Sequence, residues 1–224
     1  MTRPEKPHSV LNAPGGVFLA VYVLIFPVLF AMVLLYSRDD LHLFTNAYHS
    51  GFLDVLMRYW TWLGDGLLQV VLVFLLLMVS FRYFFTALAA FGLGGISVQL
   101  LKRIIFSDIP CPLTYFETLG REDELYLVPG VEVYHWMSFP SGHTATAFAV
   151  FFSLALLTKS KIAQAGLFVL ALGVGYSRIY LSQHFLMDIV AGSFLGLLAG
   201  WLSWRWIGGY RSDWMECSVI NITR

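Results

Sequence analysis

Residues 177–207 read SRIYLSQHFLMDIVAGSFLGLLAGWLSWRWI, and their pattern decides the fold. From Asp188 to Ile207 the segment is apolar and about 20 residues long, which is what a helix needs to cross roughly 30 Å of hydrocarbon. Just before it, and at its first residue, stand Arg178, His184 and Asp188. Ionisable groups beside a membrane span are costly, so by default they point to function. Within the span, Gly192, Gly196 and Gly200 recur every four residues. They share one helix face and allow close backbone approach. Packing inside a bundle is the first reading of that face, and dimerisation through it is the alternative.

The rest of the chain agrees with a membrane setting. Of 224 residues, 58% are hydrophobic and 12% charged, with a mean hydropathy of +0.72. A soluble domain carries about 25% charged residues and could not hide so much apolar surface. Five further spans are expected: Gly16 to Tyr36 with a kink at Pro27, Leu67 to Phe81, Tyr83 to Ile105, Thr144 to Thr158, and Ile162 to Ser177. The fold expected is therefore all-α, a polytopic bundle of six transmembrane helices forming a single domain over residues 1–224. Residues 1–15 and 208–224 form short tails on one side, and the longest loop, 106–139, lies on the other. Lysine and arginine in short loops mark the cytoplasm. Arg3, Lys6, Arg82, Lys159, Lys161, Arg205, Arg211 and Arg224 fall on the side of the termini. Arg38, Arg58, Lys102, Arg103, Arg121 and Arg178 fall on the other, which predicts cytoplasmic termini.

Connecting segments carry weaker signals. Asn46 to Trp62 is amphipathic, an interfacial helix in which Asp54 and Arg58 can pair four apart and Trp60 and Trp62 suit a headgroup belt. Pro129-Gly130 is a turn signal that could close a short hairpin of Leu125–Val128 on Val131–Tyr134, although Pro-Gly favours type II turns, which match hairpin twist poorly. Cys111 and Cys217 form no metal-ligand pattern and are expected at opposite faces, so no disulfide joins them. His8 and His42 read as solvated, His49 as facing headgroups, and His135 as a loop residue near the site. A net charge of zero suggests no nucleic-acid partner.

Chemistry gathers at one membrane face. Lys102 ends the third span, His143 begins the fourth, Arg178 ends the fifth, and His184 and Asp188 open the sixth. In Phe139-Pro140-Ser141-Gly142-His143-Thr144 a capping serine and a glycine precede an apolar helix. The free N–H groups of a helix start attract anions, and glycine lets an anion approach the backbone. An ordinary N-cap is the competing reading. Spaced i, i+4, His184 and Asp188 share a helix face. A carboxylate on one ring nitrogen leaves the other free to attack. Arg178 offers a planar fork for phosphate oxygens. A terminal ion cluster that only anchors the span is the competing reading there.

Taken in this order, Lys102, Pro-Ser-Gly-His at 140–143 and Ser-Arg-x5-His-x3-Asp at 177–188 resemble the type-2 phosphatidic acid phosphatase superfamily, which also includes vanadium haloperoxidases. The resemblance covers nearly the whole chain. It implies a membrane lipid phosphatase without cofactor or metal, acting on a lipid phosphate or diphosphate in the bilayer of a bacterial inner (plasma) membrane, with its site facing the periplasm or exterior. His184 would be the nucleophile that forms a phosphohistidine, and Asp188 would orient it. His143 would protonate the leaving oxygen and then activate water. Lys102, Arg178, Ser141 and Gly142 would hold the phosphoryl oxygens. A neutral His184 and a protonated His143 would give activity loss on both the acid and the alkaline side. The first motif departs: where the family has Arg-Pro, this chain has Ile109-Pro110 or, at wider spacing, Cys111-Pro112. Arg103 is expected on a different helix face from Lys102, and Arg121 is a candidate to reach in from the loop. A lipid phosphotransferase and a catalytically impaired lipid-binding protein are the alternatives. Nothing in the sequence fixes the oligomeric state.

Overall fold

The structure, a computed structural model, describes residues 10–208, 210 and 212–221. Arg3, Lys6, His8, Arg211 and Arg224 lie outside the described residues, as do parts of both predicted tails. Among the described residues all regular structure is helical. Among these residues four helices are long and apolar enough to cross a membrane: α1 (Gly16–Leu35), α5 (Phe81–Ile104), α8 (Lys161–Tyr180), and the run Leu186–Gly208. That last run comprises α9 (Leu186–Ser203) and a π-helical turn. A further apolar pair is broken. In it α3 (Gly51–Trp60) continues to Gly64, bends by 62°, and resumes as α4 (Gly66–Leu75) with a tight turn to Met78. Between the others runs α7 (Gly142–Leu157), apolar but only 16 residues long. Two shorter helices, α2 (Arg38–Asn46) and α6 (Pro112–Leu119), sit in the connections. The chain is an integral membrane protein.

Local sequence sets most of these starts. Ser37, Ser50, Asp65, Ser80, Ser141 and Ser160 each stand at an N-cap, with the side chain accepting a backbone N–H of the first turn. Such caps contribute about 1 kcal/mol each. The Ser80 cap also corrects the predicted second span, because Phe81 belongs to α5 rather than to the helix before it.

α7 is the centre of the bundle, packed on α5, α8 and α9. At 16 residues it is roughly 24 Å long, short of the hydrocarbon thickness. However, 12 of those residues are buried, so protein rather than lipid surrounds most of it. α1 is its opposite: it runs through Pro27 unbroken, and it buries only Gly16, Phe18 and Tyr22. Phe18 meets Phe148 and Phe168 edge to face, at 6.0 and 5.1 Å between centroids. Each such pair adds about 1 kcal/mol beyond area burial.

The glycines of α9 explain how α9 meets α7. A Cβ at Gly192 would lie 2.6 Å from the Ser141 carbonyl oxygen, and one at Gly200 2.8 Å from that of Ala149. One at Gly196 would collide with the carbonyl of Ala145. Thus 192, 196 and 200 on α9 lie against the carbonyls of 141, 145 and 149 on α7, two rows with the same spacing. The row packs inside the bundle.

Three expectations for the connections need correction. No hairpin forms over 125–134. Instead Val131 N donates to Val128 O at 3.2 Å, with Gly130 at φ +75. This is the type II geometry that Pro-Gly favours, which splays strands apart. Asp54 and Arg58 do not pair. Asp54 accepts from the phenols of Tyr126 and Tyr180 at 2.6 Å each, while Arg58 donates to the Pro129 carbonyl. Trp60 is a packing residue rather than a belt residue: its ring lies against Gly173 and its Nε1 donates to Leu170 O at 3.2 Å. Trp62 is exposed. Cys111 and Cys217 lie beyond opposite ends of α5 and both are free thiols.

Candidate active site

At the start of α9, three donors converge on one carboxylate oxygen. Asp188 Oδ2 accepts from Phe185 N at 2.9 Å and from the Ser138 hydroxyl, and lies 3.3 Å from His184 Nδ1. With Nδ1 held by the carboxylate, Nε2 of the ring is the free nitrogen. His184 precedes the helix rather than lying on it, so the pair closes across the helix start. Burial pushes the His184 imidazole down to about 4, against the weaker upward pull of Asp188. It is therefore neutral at neutral pH.

Ser138 is a site residue that sequence reading missed. It carries no motif, and a serine in a long loop has no distinguishing signal. Among the described residues two non-glycine residues adopt positive φ: Met137 at 59° and Ser182 at 52°. Met137 precedes Ser138, and Ser182 lies two residues before His184. The left-handed region costs a non-glycine residue about 1–3 kcal/mol and persists where surroundings over-determine it. Here Ser182 Oγ is 3.2 Å from His42 Nε2 and accepts from Asn46 Nδ2 at 3.3 Å. His42 is thus buried beneath the His184 loop, not solvated. The reason is α2, which the apolar-run reading did not anticipate and which turns this ring inward.

α7 contributes the opposite wall. Ser141 N donates to Asp188 O at 3.0 Å, stapling the starts of α7 and α9 together. Ser141 Oγ accepts from the Thr144 hydroxyl at 2.9 Å and from its N–H at 3.5 Å. A Cβ on Gly142 would meet nothing closer than Val98 at 3.8 Å, so its backbone is open to a ligand. The α3–α4 bend passes beneath: a Cβ on Gly64 would stand 2.7 Å from His143 O. From the same bend Thr61 accepts from Arg178 Nη1 at 2.9 Å. Arg178 is 4% exposed, and its Nε is buried with no partner among the described residues. A buried cation left so is costly unless an anion meets it.

Lys102, Gly142, His143, Arg178 and His184 all line one cavity of 280 Å³. Ser141 and Asp188 stand behind this lining, bonded to each other's segment. Arg103 also lines the cavity, contrary to expectation. Residues 99, 102 and 103 are spaced i, i+3, i+4, which makes one helix face wide enough for both cations. Arg121 does not reach in: Asp39 holds it at 2.8 Å and Glu124 at 2.7 Å. Cys111 lines the cavity and Ile109 does not, so the wider first-motif spacing fits the geometry. Its thiol points to Trp136 O, and burial pushes it up to about 11. His135 is held by Thr114 at 2.8 Å and is not part of the lining, and exposed His49 stacks on Tyr126. Among the described residues no three His, Cys, Asp or Glu side chains are grouped as metal ligands.

Beside this cavity runs a groove of 450 Å³, lined by apolar residues and by Gly64, Gly66, Gly92 and Gly95. It shares Gln99, Gly142 and His143 with the cavity. Exposed Ile96 and Leu100 lie along its α5 side.

The chain is similar to several known proteins. A lipid A 4'-phosphatase from Bacteroides thetaiotaomicron is 27% identical over 173 residues, 73% of this chain and 73% of that protein. An undecaprenyl-diphosphatase from Bacillus subtilis, BcrC, is 25% identical over 155 residues, 63% of this chain and 76% of that protein. The crystal structure of Aquifex aeolicus LpxE superimposes with a TM-score of 0.62 at 29% identity, covering 74% of this chain and 93% of that one. Residues 83–211, which hold Lys102 and the motifs at 140–143 and 177–188, match the PAP2 superfamily, and the chain belongs to that family.

Proposed function

We propose that this protein is a membrane lipid phosphatase that removes a terminal phosphate through a phosphohistidine on His184. One observation carries the reading: a cavity lined by two histidines and several cations opens directly beside an apolar groove. A phosphate can enter the first while its lipid chain lies in the second. The two relatives agree in class, one being a lipid A 4'-phosphatase and the other an undecaprenyl-diphosphatase.

The chemistry follows from positions. His184 Nε2 attacks phosphorus while Asp188, behind it, stabilises the charge that the ring gains. His143, on the groove side, protonates the oxygen that leaves with the lipid. It then takes a proton from the water that cleaves the P–N bond. Phosphoryl transfer depends mainly on positioning and charge neutralisation. Lys102, Arg178 and the backbone N–H groups at the start of α7 supply the latter, with Ser141 fixing that start. Over the sequence, Arg3, Lys6, Arg82, Lys159, Lys161, Arg205, Arg211 and Arg224 belong to the side of the termini, against Arg38, Arg58, Arg103 and Arg121 on the site side once the phosphate-binding Lys102 and Arg178 are set apart. By the positive-inside rule the site faces the periplasm or exterior and the termini face the cytoplasm.

The test is phosphate release from lipid phosphates in sealed vesicles of each orientation, with EDTA present, beside His184→Ala. Release from substrate on the external face only, lost in the variant, is the expected result. Release that survives His184→Ala would end the phosphohistidine reading, and release from the cytoplasmic face would reverse the orientation.

A further inference from the structure

The cavity holds more positive charge than a single phosphate uses. Lys102, Arg103 and Arg178 all line it, and among the described residues no carboxylate does. Asp188, the nearest acid behind the lining, is engaged by three donors. Arg178 is buried at the floor, whereas Arg103 is exposed at the rim. Arg103 has no ion-pair or hydrogen-bond partner among the described residues. Lys102, in the same cavity, is likewise without a partner among the described residues, whereas Arg82 and Arg121, outside the cavity, are each held by a carboxylate. A phosphate monoester carries about −1.5 to −2 near pH 7. The two cations Lys102 and Arg178 match that charge, which leaves Arg103 over.

We infer that Arg103 binds a second phosphate joined directly to the transferred one, so that the site prefers a lipid diphosphate to a lipid monophosphate. This deepens the function proposed above and rests on it. The distal phosphate sits at the floor, between His184 and Arg178. The inner phosphate, bonded to the lipid, lies toward the rim where Arg103 stands one residue along α5 from Lys102. In the transfer step the His184 Nε2–P bond forms as the bond from the distal phosphorus to the bridging oxygen breaks. The electron pair stays on the bridging oxygen, which leaves as part of the lipid monophosphate, with His143 donating a proton to it. Water then cleaves the P–N bond, releasing inorganic phosphate and restoring the histidine. Arg103 faces the inner phosphate, whose charge grows as the bridge breaks, so its planar fork assists binding and leaving-group departure together. A monophosphate places neutral alkyl chain at that position and gains nothing from it.

The experiment compares farnesyl diphosphate with farnesyl monophosphate in detergent, for wild type, Arg103→Gln and Arg103→Lys. A charge-assisted bond of this kind corresponds to about 10- to 100-fold. Wild type should favour the diphosphate in kcat/KM. Arg103→Gln should lower the diphosphate value by that factor and leave the monophosphate nearly unchanged, and Arg103→Lys should restore part of it. Equal loss on both substrates, or no loss on either, would overturn the inference: Arg103 would then serve the transferred phosphate or be a solvated surface charge. A second arm measures binding of the two lipids to His184→Ala protein, with and without Arg103→Gln. Weaker binding of the diphosphate alone supports the inference even if turnover fails. Equal binding in both backgrounds overturns it, whether or not the hydrolytic reading stands.

Discussion

Two sets of glycines in this protein have the same chemistry and opposite surroundings. On α9, Gly192, Gly196 and Gly200 face backbone carbonyls of α7, where an added Cβ would lie at 2.6–2.8 Å or collide outright. On α5, Gly92 has nothing within 4 Å of such a Cβ, and Gly95 has only Thr146 at 3.8 Å. The first set is closed by protein, and its work is to bring two helix starts together. The Ser141–Asp188 backbone bond is the result, and through it His143 and His184 share one cavity. The second set is open and lines the apolar groove. A glycine motif in a membrane helix therefore says that something approaches closely. Only the neighbouring helix tells whether that is protein or ligand.

The comparison breaks most severely at its closed end. Gly196→Val forces side-chain atoms into the Ala145 carbonyl. Overpacking of a well-packed contact costs about 1–3 kcal/mol and occasionally more, and the α7–α9 seam cannot widen without separating the site. Loss of folded protein in detergent, with activity below a hundredth of wild type, is the expected outcome. A Tm within 2 °C of wild type would show that the seam is looser than the geometry says.

At the open end the same kind of change should spare the fold. Gly95→Leu places a side chain in the groove with no backbone to displace. Stability should change by less than about 1 kcal/mol, since the site is not packed. Phosphate release from long-chain lipids should fall roughly tenfold, on the scale of a few displaced methylene contacts. Release from a short-chain soluble phosphate should hold. Equal loss on both substrates would mean that the groove does not take the lipid chain.

The smallest effect concerns pH. The closed seam keeps His184 buried, and its imidazole is pushed down to about 4. His184 must be neutral to attack, so the activity it controls is present above that value and lost as pH falls through it. The acid limb of kcat/KM should lie well below the ordinary imidazole value of about 6.5. Ser138→Ala removes one donor from Asp188, together with the 3.4 Å contact between the Ser138 hydroxyl and His184 Nδ1. Freed of that donor, the carboxylate should favour imidazolium more and move the acid limb upward, with kcat reduced several-fold. An unmoved limb in Ser138→Ala would show that Ser138 only packs.

Much of the site was legible in the chain itself, because its residues sit at helix starts and ends where local rules apply. Ser141 is a cap, Gly142 an open backbone, and His184 and Asp188 are four apart beside a span. Lys102 and Arg178 occupy the last turns of their helices. What stayed hidden depends on contacts between segments far apart in sequence. Ser138 reaches Asp188 across 50 residues and His42 reaches Ser182 across 140. No local pattern encodes either.

Arg103 shows the boundary most clearly. Read alone, one residue after Lys102 on a helix, it is turned about 100° away. In the bundle the cavity takes in the whole arc of α5 that holds Gln99, Lys102 and Arg103. The membrane setting, the helix starts and the identity of the chemical groups are written in the chain, because hydropathy, capping and spacing act within a few turns. Tertiary packing settled which groups share the cavity and which glycines are filled. Those outcomes depend on how close two helices come, and that distance is set by both partners at once.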